Sequence, residues 1–358
     1  MNGERAVTVI YGTLHFFVDF CCAFFLLGML SESENLYFYF LIYNFCAFAL
    51  QMPFGLLADR LKRNNTVAAA GCLLTAMIPL IYGVSGMRHG FGAEMGAVVL
   101  TGLGNCLFHV GGGIEILEKG KDKLTPLGIF VSPGAIGIFL GSLLGKADVV
   151  PYAFPYLILL VGTGLLLYRS KEMYGGVSDG NKSSVTEVMT FPGKSCLIAL
   201  LFFFLVVTAR SHLGMIYSFP WKKETVGGIL GLMGVVFGKA TGGILADKFG
   251  MQKTILFSMV LAMLCFCFSG HMIFGVLGLF FFNMTMPITL YLAAEILERN
   301  KGFAFGILTF AIFIGYLPVY FGYLTCTQVL LVGIGFCSLI FLEAGYRLMR
   351  KKHERTVA

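Results

Sequence analysis

Residues 254–294 read TILFSMVLAMLCFCFSGHMIFGVLGLFFFNMTMPITLYLAA, a run of 41 residues without Asp, Glu, Lys or Arg. A helix crosses the hydrocarbon core of a bilayer in about 20 apolar residues. The run is therefore twice the length of one crossing, and Ser269-Gly270-His271 near its middle supplies a polar turn. Residues 302–342 repeat the pattern, with their break from Thr325 to Gln328. Each run is a helical hairpin in a membrane. The rest of the chain agrees: 57% of its 358 residues are hydrophobic and only 13% are charged, about half the charge of a soluble domain. Mean hydropathy is +0.83. A cytosolic enzyme, a nucleic-acid binder and a disordered chain are excluded together.

The same reading gives spans near 6–30, 35–58, 66–87, 92–117, 124–145, 150–169, 195–218, 225–246, 252–269, 272–297, 302–323 and 328–348. The fold class is thus all-α, an integral membrane protein of twelve transmembrane helices. The first span has no small-residue cleavage site after it and is expected to be retained. Lys and Arg test the count, because they concentrate on the cytoplasmic side. With both termini inside, 20 of the 26 basic residues fall in inner segments, and only Arg88, Lys146, Lys222 and Lys223 fall in outer loops. Arg210 and Lys239 lie within spans. A wrong span count would scramble this alternation.

The chain is also internally duplicated. Gly55-Leu56-Leu57-Ala58-Asp59-Arg60 follows span 2 and Gly243-Ile244-Leu245-Ala246-Asp247-Lys248 follows span 8, with four of six positions identical. Glu115 to Lys121 ends span 4 and Glu295 to Lys301 ends span 10, with five of seven identical. Both pairs relate span n to span n+6, which is a parallel repeat about an axis along the membrane normal. Residues 1–169 and 195–358 are expected to be six-helix bundles, joined by a cytoplasmic linker over 170–194.

Twelve spans, this repeat, and Gly55 to Arg63 between spans 2 and 3 resemble the major facilitator superfamily along the whole chain. The resemblance implies a major facilitator fold in which the loop with Asp59, Arg60 and Arg63 staples the cytoplasmic helix ends. Asp247 and Lys248 are its degraded copy, and Glu115 and Glu295 are gate partners at matched helix ends. Gly128-x-x-x-Ser132-Pro133 in span 5 is similar to a motif of proton-coupled exporters, although Ser132 and Ile136 depart from it. Small-residue packing reads the same segment equally well. Leu107-Phe108-His109 and Arg210-Ser211 resemble short segments of fosmidomycin-resistance-type exporters.

Ionisable groups at membrane depth are costly unless they face protein or water. They collect here on spans 1, 4, 7 and 10: His15 and Asp19, Asn105 and His109, Arg210 and His212, and Asn283. In the resembled family these four helices line the central cavity. His15 and Asp19, spaced i, i+4, share one helix face; they form either a proton-exchanging pair or a packing bond. Asn105 and His109 repeat that spacing. Arg210 must meet an anion, from Asp19 or from a solute. Lys239 is placed with the gate, within reach of an acidic helix end such as Glu295. The ten cysteines show no zinc-ligand spacing, so no metal or other cofactor is expected, and the GxxxxGK[ST] loop that would bind ATP is absent.

The expectation is a non-enzymatic, monomeric secondary transporter in the bilayer of a bacterial inner (plasma) membrane. Its partners are protons and a small anionic or amphipathic organic solute, with no nucleic acid. Export by proton antiport is expected first and uptake by symport second. A non-transporting sensor or scaffold is the reading from another class.

Overall fold

The computed structural model describes residues 3–82, 90–147, 153–174, 192–322 and 327–357. Among them there is no strand. Twelve helical rods follow one another: α1 (Gly3–Met29), α2 (Leu36–Leu61), α3 (Asn64–Ile81), α4 (Phe91–Lys119), α5 (Thr125–Ala147), α6 (Phe154–Tyr174), α7 (Lys194–Ile216), α8 (Thr225–Phe249), α9 (Met251–Phe266), α10 (Met272–Ile296), α11 (Lys301–Tyr320) and α12 (Gln328–Arg350). All but α6 and the shorter α9 are long and apolar enough to span a bilayer by themselves. Each expected span falls on one rod. Most of the expected linker, including Lys182, lies outside the described residues, as do Arg88 and the Thr325 end of the second polar break.

The duplication reappears in the backbone. α2 ends at Lys62 with φ 52°, and α8 ends at Gly250 with φ 91°, the same position of the repeat at an offset of 188. A residue with positive φ stops a helix and reverses the chain sharply, so both halves turn alike after the Asp-Arg and Asp-Lys pairs. We call this face of the molecule the basic end.

Three departures from regular helix shape the interior. α1 widens into a π-helical turn at Phe24–Met29 and α2 does so at Phe45–Ala49. α5 is interrupted at Ser132, because Pro133 has no N–H to continue the hydrogen-bond ladder. α10 is interrupted at Met284, three residues before Pro287. Below the interruption of α5, Gly137 and Gly141 lie directly on the Phe16 and Phe20 carbonyls of α1. This small-residue contact sets the two helices close enough to build a site between them.

The halves meet in two reciprocal contacts at the basic end. Asp59 at the end of α2 accepts from the backbone N–H groups of Gly302 (2.7 Å) and Phe303 (2.8 Å), the first turn of α11. Asp247 at the end of α8 accepts from those of Leu124 (2.8 Å) and Thr125 (2.9 Å) and from the Thr125 hydroxyl, the start of α5. Each carboxylate thus caps a helix of the other half, where orphan N–H groups and the helix dipole both favour an anion. Beside the first cap, Gly55 and Gly302 pack backbone to backbone, and a Cβ on either would overlap the other's carbonyl.

Candidate functional site

A cavity of about 590 Å³ lies between the halves. It runs from Gln51, Leu290 and Phe305, below mid-depth, to Leu27, Tyr37 and Tyr320 near the end opposite the caps. Its walls are largely aromatic and aliphatic. Its charged or titratable lining is confined to His15, Asp19, His109, Arg210, Lys239 and the tyrosines.

His15, Asp19, Asn105 and His109 form one cluster where α1 faces α4. His15 Nε2 lies 3.2 Å from Asp19 Oδ2, and His109 Nε2 lies 3.7 Å from Asp19 Oδ1. Asn105 Nδ2 donates to Asp19 Oδ1 at 2.8 Å. His15 Nδ1 is 2.6 Å from the Phe130 carbonyl, and His109 Nδ1 is 2.9 Å from the Asn105 carbonyl. Carbonyls only accept, so both Nδ1 atoms carry protons. In the neutral rings both Nε2 atoms are then bare, and they face each other at 2.9 Å. Two lone pairs at that separation repel unless a cation lies between them.

The interruption of α5 explains how His15 is oriented. A helix leaves its last four carbonyls without intrahelical donors. In the segment Thr125–Val131, the Gly128 carbonyl takes the Ser132 hydroxyl (2.6 Å), that of Phe130 takes His15, and that of Val131 takes Lys239 Nζ at 3.3 Å. Pro133 therefore supplies acceptors to both halves at once. Gly134 follows, and any side chain there would overlap Asp19 Oδ2 and His15 Nε2.

On the other half, Arg210 donates to the hydroxyls of Thr285 (3.1 Å) and Thr289 (3.4 Å). Among the described residues it has no carboxylate within ion-pair distance, so the expected pairing with Asp19 is not made in this conformation. Asp19 is instead satisfied inside its own half. Lys239 likewise bonds a neutral carbonyl. It lines the cavity rather than reaching an acidic helix end, because its helix position faces the α5 interruption. Asn283 lines the cavity with its amide on the Leu279 carbonyl, 2.8 Å away. His212 turns from the cavity lining to the Gly315 carbonyl of α11, at 3.0 Å.

At the basic end the two aspartates make the contacts, and their basic neighbours do not. Arg60 and Arg63 are exposed and form no ion pair among the described residues. Lys248 lies over the Phe249 ring. Glu115 is fully buried within the N-terminal half, accepting from Asn64 of α3 at 3.3 Å. Glu295 is half-buried beside Tyr291. Neither glutamate bridges the halves by a hydrogen bond among those described.

Several lining groups were not singled out from sequence. Asn44 donates to Tyr320 Oη at 2.6 Å, and Tyr37 Oη donates to the Val319 carbonyl at 3.0 Å, tying α2 to α11 across the cavity mouth. Gln51 is fully buried, bonds Ala47 through Nε2 and leaves Oε1 without a partner. The π-helical turn just before it was the feature to look for, but it has no sequence signature.

Comparisons with known proteins agree with this architecture. The family model of the Major Facilitator Superfamily matches residues 9–318. The fold is similar to that of the Escherichia coli fucose:proton symporter, with a TM-score of 0.69 at 12% identity over 98% of this chain and 99% of that one. It is also similar to a bacterial homologue of the iron transporter ferroportin in an outward-facing state, with a TM-score of 0.61 at 15% identity over 96% and 98%. No curated protein matches the sequence.

Proposed function

The chain belongs to the major facilitator superfamily, and from that premise we propose that it is a proton-coupled transporter exporting a small anionic or amphipathic organic solute by alternating access. The observation that carries the reading is the charge layout of the cavity. Arg210 and Lys239 project from the C-terminal half and, among the described residues, bond only neutral oxygens. A cation away from bulk water is costly until a counter-charge reaches it. Asp19, the carboxylate of the cavity wall, is already held by Asn105 and His15. An anionic group of the solute completes the balance, and the aromatic walls receive its apolar body.

The proton resides in the opposite half. A proton shared by the facing Nε2 atoms of His15 and His109 relieves their repulsion, and the Asp19 carboxylate beside them stabilises the resulting charge. Solute and proton thus sit on different halves across one cavity, and each changes the field felt by the other. Asp59 and Asp247 act as gate bonds holding the basic end shut, and both must break when the halves rock.

In this reading the basic end and both termini lie in the cytoplasm of a bacterial plasma membrane, a sidedness supported by the concentration of Lys and Arg at that end. Residues 170–194 then link the halves on that side, where the two aspartate caps hold the halves together in the conformation described. Symport is the second reading. It is favoured by one feature: cluster and cations line the same cavity, so solute and proton could load from one side.

Flux of a panel of organic anions into proteoliposomes, driven by a pH jump, tests both. Asp19→Asn is expected to bind and exchange solute without responding to the pH gradient. The sign of the gradient that drives accumulation separates antiport from symport. Proton-driven accumulation persisting in Asp19→Asn overturns the coupling assignment, and no flux for any anion favours the non-transporting sensor.

A further inference from the structure

We infer that His15, Asp19 and His109 also form a binding site for a divalent transition-metal ion of the zinc type. The inference concerns the cluster on which the proton reading rests, but it needs no proton movement. One donor atom from each residue lies within 4.8 Å of the other two. The separations are 2.9 Å between the ring nitrogens, and 3.2 and 3.7 Å from nitrogen to carboxylate oxygen. Donors bound about 2.0–2.2 Å from a common zinc at tetrahedral angles lie about 3.3–3.6 Å apart. Each of these separations lies within about half an ångström of that spacing. The two Asp19 distances involve different oxygens, so a small turn of the carboxylate presents one or both to the ion.

The surroundings are those of a ligand set rather than of chance neighbours. Each histidine gives its Nδ1–H to a backbone carbonyl, which fixes the ring and keeps Nε2 bare toward the centre. Asn105, 2% exposed, holds the carboxylate from behind. Gly134 leaves the fourth side free of a side chain. All three ligands line the cavity, so the remaining coordination positions are open to water or to an oxygen of the solute. Two imidazoles and one carboxylate suit zinc, cobalt, nickel or ferrous iron and not magnesium or calcium. Spacing in the sequence does not show this set, because its members come from two spans 94 residues apart.

Metal and shared proton compete for the same lone pairs, so an ion bound here blocks proton coupling. The test is calorimetric titration of the purified full chain in detergent with Zn²⁺, together with Co²⁺ absorption spectra. One Zn²⁺ per chain and cobalt ligand-field bands are expected. Affinity should fall at least tenfold in His109→Gln and in Asp19→Asn, and by 10–100-fold in the positioning variant Asn105→Ala. Melting temperatures and circular dichroism matching those of the unaltered chain establish that the variants fold. No stoichiometric binding, or binding unchanged in all three variants, overturns the inference. Zinc binding, with no pH-driven flux even after the metal is removed by a chelator, supports the metal site and removes the proton reading. Flux without zinc binding does the reverse.

Discussion

Replacing Asp59 and Asp247 with asparagine should invert the conformational preference of the molecule. Each aspartate accepts two backbone N–H bonds at 2.7–2.9 Å from the first turn of a helix in the opposite half. Asparagine removes the charge and one of the two acceptor oxygens. A charge-assisted bond of this kind contributes about 1.5–3 kcal/mol, so about 2 kcal/mol is lost per site. The two caps share no partner, so their losses add to about 4 kcal/mol. A population of about 99:1 in favour of the capped state would fall to about 3:1 in either single variant, and to about 1:9 in the double variant, at 1.36 kcal/mol per factor of ten. The assay is the distance between spin labels at Lys62 and Lys253, one in each half at the basic end. Cys267, Cys326 and Cys337 are replaced by serine to remove competing labels. A bimodal distribution should appear in each single variant and shift to the long distance in the double. An unchanged short distance in the double variant would refute the capping argument, because no other hydrogen bond between the halves is described at this end.

Arg210→Ala should weaken solute binding by about 10–100-fold, as expected when a charged anchor worth about 1.5–3 kcal/mol is lost, whereas His212→Ala, outside the cavity lining, should change it less than twofold; equilibrium binding of the transported anion decides. Gly134→Ala should leave the protein folded but abolish pH-driven transport and zinc binding together, because its Cβ would occupy the space of Asp19 Oδ2 and His15 Nε2; intact coupling would show that the cluster can move aside. Cysteines at Lys121 and Lys182 should react with impermeant reagents only from the cytoplasm and those at Glu34 and Lys222 only from outside, and reversed labelling of either pair would overturn the sidedness.

The fold was legible because bilayer physics is severe: charge-free runs such as 254–294 admit little besides helical hairpins. The capping aspartates were legible because the chain repeats itself, and the repeat carried Asp247 along with Asp59. Their basic neighbours were over-read. Arg60 looks like a donor in the motif, yet the donors are backbone N–H groups of the opposite half, which sequence does not display. His15 and Asp19 could be paired from their i, i+4 spacing, and so could Asn105 and His109. Joining the two pairs into one cluster required the packing of α1 on α4 and α5, which depends on Gly137 and Gly141 seating on carbonyls 121 residues away in the chain. Arg210 was expected to meet an anion, either Asp19 or a group of the solute. The structure satisfies Arg210 and Asp19 each locally, which leaves the arginine for something else. Lys239 was assigned to the gate from its distance to the helix end, and only the interruption of α5 shows why it turns inward.

That interruption has a consequence for the energetics of each turnover. Of the carbonyls released by Pro133, the one on Phe130 is held within its own half and the one on Val131 is held by Lys239 across the divide. When the halves part on this side, the Val131 bond must be given up, and the space that opens admits water, which can bond both the ammonium and the carbonyl. A bond from a charged donor contributes about 1.5–3 kcal/mol, and water that enters replaces much of it for both partners, so the bond can be made and unmade without a deep trap on either side. The Phe130 bond lies within one half, so a rigid-body parting of the halves leaves it in place. A proline in mid-span thus divides the acceptors before it between a bond internal to one half and a bond across the halves that water can replace.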